Sequence, residues 1–185
     1  VSTRFVITES VQRDALLTSQ FVQAIALAEV RHVSIPHVRT MGELLDPRTD
    51  KNFPDVDPLA RASARDEFLD HIENLPDVIL ANIYAPDRMV IWSTNPSLMG
   101  NTIRDNEDLE RAFSSKTSVS TGYHDVDKAR MEQKFVVPPQ YLFIENYIPL
   151  FDADGSTVTA MVEIYKEPQD LINRMERGLV LIWLA

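Results

Sequence analysis

Three segments of this chain alternate between apolar and polar side chains with a period of two: Val78–Ala85, Tyr141–Phe151 and Val158–Lys166. Successive side chains of a strand point to opposite faces of its sheet, so each segment divides into two sides. One side carries Ile79, Ala81 and Ile83, then Leu142, Ile144, Ile148 and Leu150, then Val158, Val162 and Ile164, and is wholly apolar. Such a face must be covered, and a helix is the ordinary cover. The other side carries Asn82, Tyr84, Phe143, Glu145, Tyr147, Glu163 and Tyr165, and Trp92 of a neighbouring short strand is expected to join it. A mixed aromatic and polar lining suits a small-molecule pocket. It equally suits a half-solvated sheet face with aromatic cross-strand pairs, so the pattern alone leaves both open.

The cover is legible upstream. From Thr8 to His32 there is no glycine or proline, and Val11, Ala15, Val22 and Ala26 recur on one side of a helix. Phe21 and Ile25 widen that stripe, which can lie on a sheet or pair with a second copy of the chain as a homodimer. Residues 33–58 then change character: Pro36, Pro47, Pro54, Pro58 and Gly42 break any period. They read as a loop excursion of the functional or mobile kind. Its Asp46, Asp50, Asp55 and Asp57 either gather a divalent cation or simply stay solvated.

A second helix is expected from Asp57 or Pro58 to Leu75, stopped by Pro76. Two hairpins follow, one turning at Pro86-Asp87-Arg88 and one at Asp152-Ala153-Asp154-Gly155. Between them lie a short helix capped by Asp105 or Asn106 and strands at Val119–His124 and Lys134–Val137. Pro168 opens a last helix bearing Leu171, Met175, Leu179 and Ile182. The expected organisation is a single domain: a long helix (8–32), an excursion and second helix (33–76), a sheet core (78–166) and an exit helix (168–185).

The final run from Gly178 to Ala185 is uncharged and nearly all apolar. A bilayer needs about 20 such residues, so the run reads either as the first turns of a transmembrane helix or as a buried core helix. The membrane reading is preferred, because Val1 is preceded by no initiator methionine or signal pattern and the chain resembles an insert between flanking transmembrane helices.

Charge and composition exclude several classes. A net charge of −10 argues against nucleic acid and against lying flat on an anionic membrane. No cysteine is present, which removes disulfides, thiolate metal sites and cysteine catalysis and fits an oxidising compartment. There is no Gly-x-Ser-x-Gly elbow, glycine-rich phosphate loop or His-Glu-x-x-His pattern, and the five glycines leave little material for nucleotide loops. His32 and His37 straddle a helix end and share no face, so no metal and no cofactor is expected. Glu145 and Glu163 form a carboxylate pair of the kind that glycosidases use, but two such residues are commoner on a solvated sheet face.

The run Ile83-Tyr84-Ala85-Pro86-Asp87-Arg88-Met89-Val90-Ile91-Trp92-Ser93-Thr94-Asn95-Pro96, followed by Leu98-Met99-Gly100, resembles the central hairpin of Cache domains, the PAS-like extracytoplasmic sensors of bacterial receptors. The later hairpin, running through Val162-Glu163-Ile164-Tyr165-Lys166 into Pro168, is similar to the end of such domains, where the last strand feeds a helix that re-enters the membrane. Residues 33–58 have no counterpart in that pattern, and the turn at Asp87-Arg88 lacks the glycine often found there.

The resemblance implies an α+β fold in which a long N-terminal helix packs on a central antiparallel PAS-like sheet and a C-terminal helix leads to the membrane. It also implies a ligand pocket on the outward sheet face, a periplasmic or extracellular location in an inner-membrane protein, and a non-catalytic domain whose parent is a sensor histidine kinase. Chemoreceptors and cyclic-dinucleotide enzymes are other hosts.

Candidate ligand contacts are Asn82, Tyr84, Trp92, Glu145, Tyr147 and Tyr165 on the sheet, with Tyr123, His124, Arg130 and Lys134 beside it. Lys128, Arg130 and Lys134 form a basic cluster that either anchors an anionic ligand such as a carboxylate or offsets Asp125, Asp127 and Glu132 in a solvated loop. The reading of another class is an interaction module that binds a periplasmic protein through its acidic excursion.

Overall fold

The computed structural model describes residues 2–115, 117–125, 130–140, 142–170, 172–173 and 176–177. The fold is α+β. Helices α1 (Ser2–Val33), α2 (Gly42–Leu45), α3 (Pro58–Glu73) and α4 (Glu107–Ser114) accompany strands β1 (Val78–Tyr84), β2 (Val90–Ser93), β3 (Ser120–Asp125), β4 (Leu142–Phe151) and β5 (Val158–Lys166). The strands form one sheet in the order β2-β1-β5-β4-β3, with every neighbouring pair antiparallel.

The first helix is the expected one, extended at its start, and its stripe of Val11, Ala15, Val22 and Ala26 is buried. Arg31 in its last turn complements the helix dipole, and Ser34 leaves it with a left-handed φ of 48°. Helix α3 starts where Asp57 accepts a hydrogen bond from the Leu59 amide at 3.0 Å, with Pro58 in the first turn. Its Ala64, Phe68 and Ile72 meet Val22 and Ala26 of α1 and the apolar strand residues Ala81, Ile83, Ile148, Val162 and Ile164 in one core. Burying a side chain such as Phe68 or Ile72 is worth about 1.5–3 kcal/mol.

Residues 33–58 are not a structureless loop. Met41, Leu44, Leu45 and Val56 are buried in the same core, and a 3-10 turn at Pro47–Asn52 follows α2. The prolines cut the helical period without removing the apolar residues between them. Gly42 sits so close to the sheet that a Cβ there would come within 1.9 Å of Thr159 Oγ1. Charge then pins the strap: Asp50 accepts from Arg61 and from Arg65 at 2.8 Å each, and Arg61 also lies over the Phe53 ring. Burial opposes charge on Asp50, but the hydrogen bonds from Arg65 and Arg61 outweigh it and hold the carboxyl below its ordinary value. Asp46 is likewise taken up by Arg48, which reaches on to Asp87.

The helix-side face is not wholly apolar, because Asn146 lies on it between Ile144 and Ile148, fully buried and accepting from Thr121 at 2.6 Å, and three face assignments need correction. Ile79 and Val158 pack with the aromatic side, because register shifts at Val78/Leu80 and at Leu150/Phe151 flip the strand ends. Trp92 is opposite Ile83 across β1 and β2 and therefore shares its apolar face, packing against the helix-side core. Residues 134–137 form no strand. There Phe135 packs against the rings of both Phe143 and Tyr165, at centroid distances of 5.3 and 5.4 Å, and Pro138 and Pro139 supply no amide for a ladder.

The hairpin turn that lacks glycine is completed by Arg88 itself, at φ 69°. Its guanidinium is held by Glu110 at 2.7 Å and stacks on Phe113, which offsets a backbone cost of about 1–2 kcal/mol.

Among the described residues no helix is long and apolar enough to cross a membrane. The apolar run 178–185 and the basic Lys128 lie outside the described residues, as does Tyr141, the expected start of the third strand. Residues 169–170, 172–173 and 176–177 are helical, directly after β5.

Candidate functional site

The outward face of the sheet carries a buried polar layer built by strand register. Ser93 of β2 pairs with Asn82 of β1, Asn82 with Glu163 of β5, Glu163 with Tyr147 of β4, and Tyr147 with Ser120 of β3. One row over, Tyr165 of β5 pairs with Glu145 of β4. A line of polar groups thus runs across all five strands. Helix α4 and the loop around Phe135 close over it, leaving Tyr84, Glu163 and Tyr165 fully buried.

Two carboxylates lie at the centre. Glu163 accepts from Tyr84 Oη at 2.5 Å and Asn82 Nδ2 at 2.9 Å on Oε2, and its Oε1 lies 2.7 Å from Tyr165 Oη. Glu145 accepts from Tyr147 Oη at 2.9 Å, and its Oε1 lies 3.0 Å from the same Tyr165 hydroxyl. Tyr165 has one hydrogen for two carboxyl oxygens. The second bond therefore needs a proton on a carboxyl group, and the surroundings decide which.

Burial first, then repulsion by Glu145, pushes the Glu163 carboxyl well above its ordinary value. Burial also works against charge on Glu145, but the hydrogen bond and charge of His124, with help from Glu163 and Arg130, hold it below its ordinary value. Glu163 is the neutral partner and donates to Tyr165, which donates to ionised Glu145. Burial above all raises the Tyr84, Tyr147 and Tyr165 hydroxyls, so they remain neutral donors.

The charged end of this layer faces solvent. His124, 30% exposed, stacks on Phe143 and brings Nε2 within 2.8 Å of Glu145 Oε2. Arg130, 34% exposed, donates to Asp108 at 2.6 Å and to Asn106 Oδ1 at 3.2 Å, and lies 3.6 Å from Glu145 Oε1. Asn106 caps α4 through the Asp108 and Leu109 amides while its Nδ2 reaches Glu132 at 2.6 Å and Tyr147 at 3.2 Å. Burial raises the Glu132 carboxyl above its ordinary value.

A cleft of about 90 Å³ opens here, lined by Asp108, Arg111, Thr121, Gly122, His124 and Glu145 among others. Donor atoms of Asp108, His124 and Glu145 lie within 4.8 Å of one another, as metal ligands would. The Arg130 guanidinium already supplies the positive charge at Asp108 and Glu145.

Seven of the expected residues are brought together: Asn82, Tyr84, His124, Arg130, Glu145, Tyr147 and Tyr165. Three are not. Trp92 is on the apolar face, as described above. Tyr123 pairs with Ile144 and so points to the helix side, where it is 44% exposed. Lys134 is exposed, and the contact that it makes with the neighbouring strand end is its backbone carbonyl accepting from Asn95 Nδ2 at 2.8 Å.

Glu163, placed on this face by alternation but not among the expected ligand contacts, is the central acid. Asn106, Asp108 and Glu132 were missed. Asn106 was legible as a helix cap alone, and neither acid falls in a strand whose alternation would aim it.

No protein-family model matches this chain, and no curated protein matches it. Among solved structures it is similar to a sensory box sensor histidine kinase from Vibrio cholerae, with 15% sequence identity, coverage of 58% of this chain and 94% of that chain, and a TM-score of 0.37. A likeness this distant identifies neither a family nor a ligand.

Proposed function

We propose that this chain is the extracytoplasmic ligand-sensing domain of a membrane-bound sensor histidine kinase. The observation that carries the reading is the path from two solvent-facing side chains, Arg130 and His124, through Glu145 and Tyr165 to the buried neutral acid Glu163 on β5. A small molecule that competes for the mouth changes the charge balance around Glu145. That change reaches Glu163 and the central strand, because each partner's proton depends on the next.

Two routes lead outward from β5. Its last residue, Lys166, donates to Asp14 at 3.1 Å and Thr18 at 2.8 Å on α1, and the chain continues through Pro168 into the helical residues after it. The signal shifts a population only as far as the ligand prefers one packing over the other. A second copy of the chain is the proposed partner along α1, where Leu16, Leu17, Phe21 and Leu27 are exposed.

The ligand that suits this mouth bears an amine. A carboxylate, the class expected from the basic cluster, would have to displace Asp108 from Arg130 and sit beside Glu145 as a like charge, whereas a cation competes with Arg130 for Asp108 and Glu145, acids of opposite charge to its own. Thermal stability is to be followed against millimolar amines, amino acids and organic acids. A ligand at about 100 times its dissociation constant adds about 2.7 kcal/mol. Stabilisation by amine-bearing compounds, lost in Asp108→Asn, supports the reading; no stabilisation by any class turns it toward a protein-interaction module.

A further inference from the structure

On the opposite side of the sheet, where α1 packs against α3, a second polar cluster lies apart from the site above. Glu29 of α1 is 8% exposed, yet its Oε2 is buried without a hydrogen-bond partner. Its Oε1 lies 3.5 Å from His71 Nε2. That is longer than the roughly 2.7–3.2 Å of a good hydrogen bond. A buried carboxylate so poorly satisfied is costly to keep, unless something else occupies the space before it.

Two more donors converge on it. Glu67 and His71 stand one turn apart on α3 and so share a helix face. Donor atoms of Glu29, Glu67 and His71 all lie within 4.8 Å of one another. Two ligands bound to a tetrahedral ion at about 2.1 Å are about 3.4 Å apart, close to the separation of His71 and Glu29. Glu67 and His71 are exposed, which gives an ion an entry path and leaves a coordination position to water.

We infer that Glu29, Glu67 and His71 form a binding site for a first-row divalent transition metal, with zinc as the best match, that clamps α1 to α3. One imidazole and two carboxylates favour such an ion over magnesium or calcium, which seek all-oxygen shells. The ion would supply the missing partner of Glu29 Oε2 and tie together the two helices that cover the apolar face.

Calorimetric titration of the whole chain with zinc chloride, in a buffer that does not chelate, tests the site. Saturable binding is expected, together with a zinc-dependent rise in Tm. His71→Ala, at an exposed position, should weaken binding by roughly tenfold or more, and Glu29→Gln similarly. His37→Asn, at an exposed histidine that belongs to neither cluster and whose φ of 67° asparagine tolerates, should leave binding unchanged. Absence of saturable binding, wild-type affinity in His71→Ala, or displacement of zinc by an equal concentration of magnesium would each overturn the inference. None of these outcomes bears on ligand sensing at Arg130 and His124.

Discussion

Phe68 and Glu163 are both fully buried, on opposite faces of the same sheet. Phe68 is held by shape: the helix-side core asks only that its volume be filled. Glu163 is held by direction, with Tyr84, Asn82 and Tyr165 aimed at its two oxygens and a proton required to complete the set. The packed apolar core therefore answers little to pH, whereas the polar face answers to charge. A domain that must be stable and also responsive can keep the two demands on separate sides of one sheet.

The difference can be broken by substitution. Phe68→Ala should cost about 4 kcal/mol in urea denaturation, nearly independent of pH between about 5 and 8, because it removes volume alone. A strong pH dependence of that loss would mean that the two faces are not separate. Glu163→Ala should cost about 3 kcal/mol, since the buried donors Tyr84 and Asn82 lose their acceptor and Tyr165 loses the proton it accepts, and the partner tyrosines should then become the site of structural change. A loss under 1 kcal/mol would show that water or rearrangement satisfies them.

Glu163→Gln sharpens the contrast, because an amide reproduces the neutral acid. The Glu163 carboxyl is raised above its ordinary 4.5, so its contribution is full below that value and falls as pH rises toward its folded value. Glu145 is lowered and acts the other way, contributing above 4.5 and losing that contribution in acid. The glutamine variant should accordingly match the wild type near pH 4.5 and gain on it by about 1 kcal/mol or more per pH unit above, within the range over which Glu163 stays neutral. A difference that is flat with pH would place the proton elsewhere. The smallest effect is expected at Arg48, a half-exposed side chain that ties the mostly buried Asp46 to the exposed Asp87 outside both cores; Arg48→Ala should cost about 1 kcal/mol, and less in high salt.

How far the sequence foretold each face follows from the same physics. Period two is a property of the strand, so the apolar side and the cluster Asn82, Tyr84, Glu145, Tyr147 and Tyr165 could be read directly. Alternation fails where a bulge inserts a residue, which is why Ile79 and Val158 were misplaced, and where pairing is unknown, which is why Trp92 was. Outside strands, a helical period gives the buried face of a helix but not which residues of another element meet it. Glu132 and Asp108 enter the site because Arg130 and Asn106 bridge to them, and Glu29 meets Glu67 and His71 because two helices cross. The excursion hid its buried leucines among prolines that look like linker.

The central position of β5 also bears on how the molecule is made. It is the last of the described strands in the chain, yet it joins the β1–β2 hairpin to the β3–β4 pair. As the chain leaves the ribosome, those two halves have no edge in common until residues 158–166 emerge, and the unpaired flanks of β1 and β4 stay open to wrong partners in the meantime. Substitutions in β5 should for that reason depress the yield of soluble protein more than their effect on the finished fold would imply.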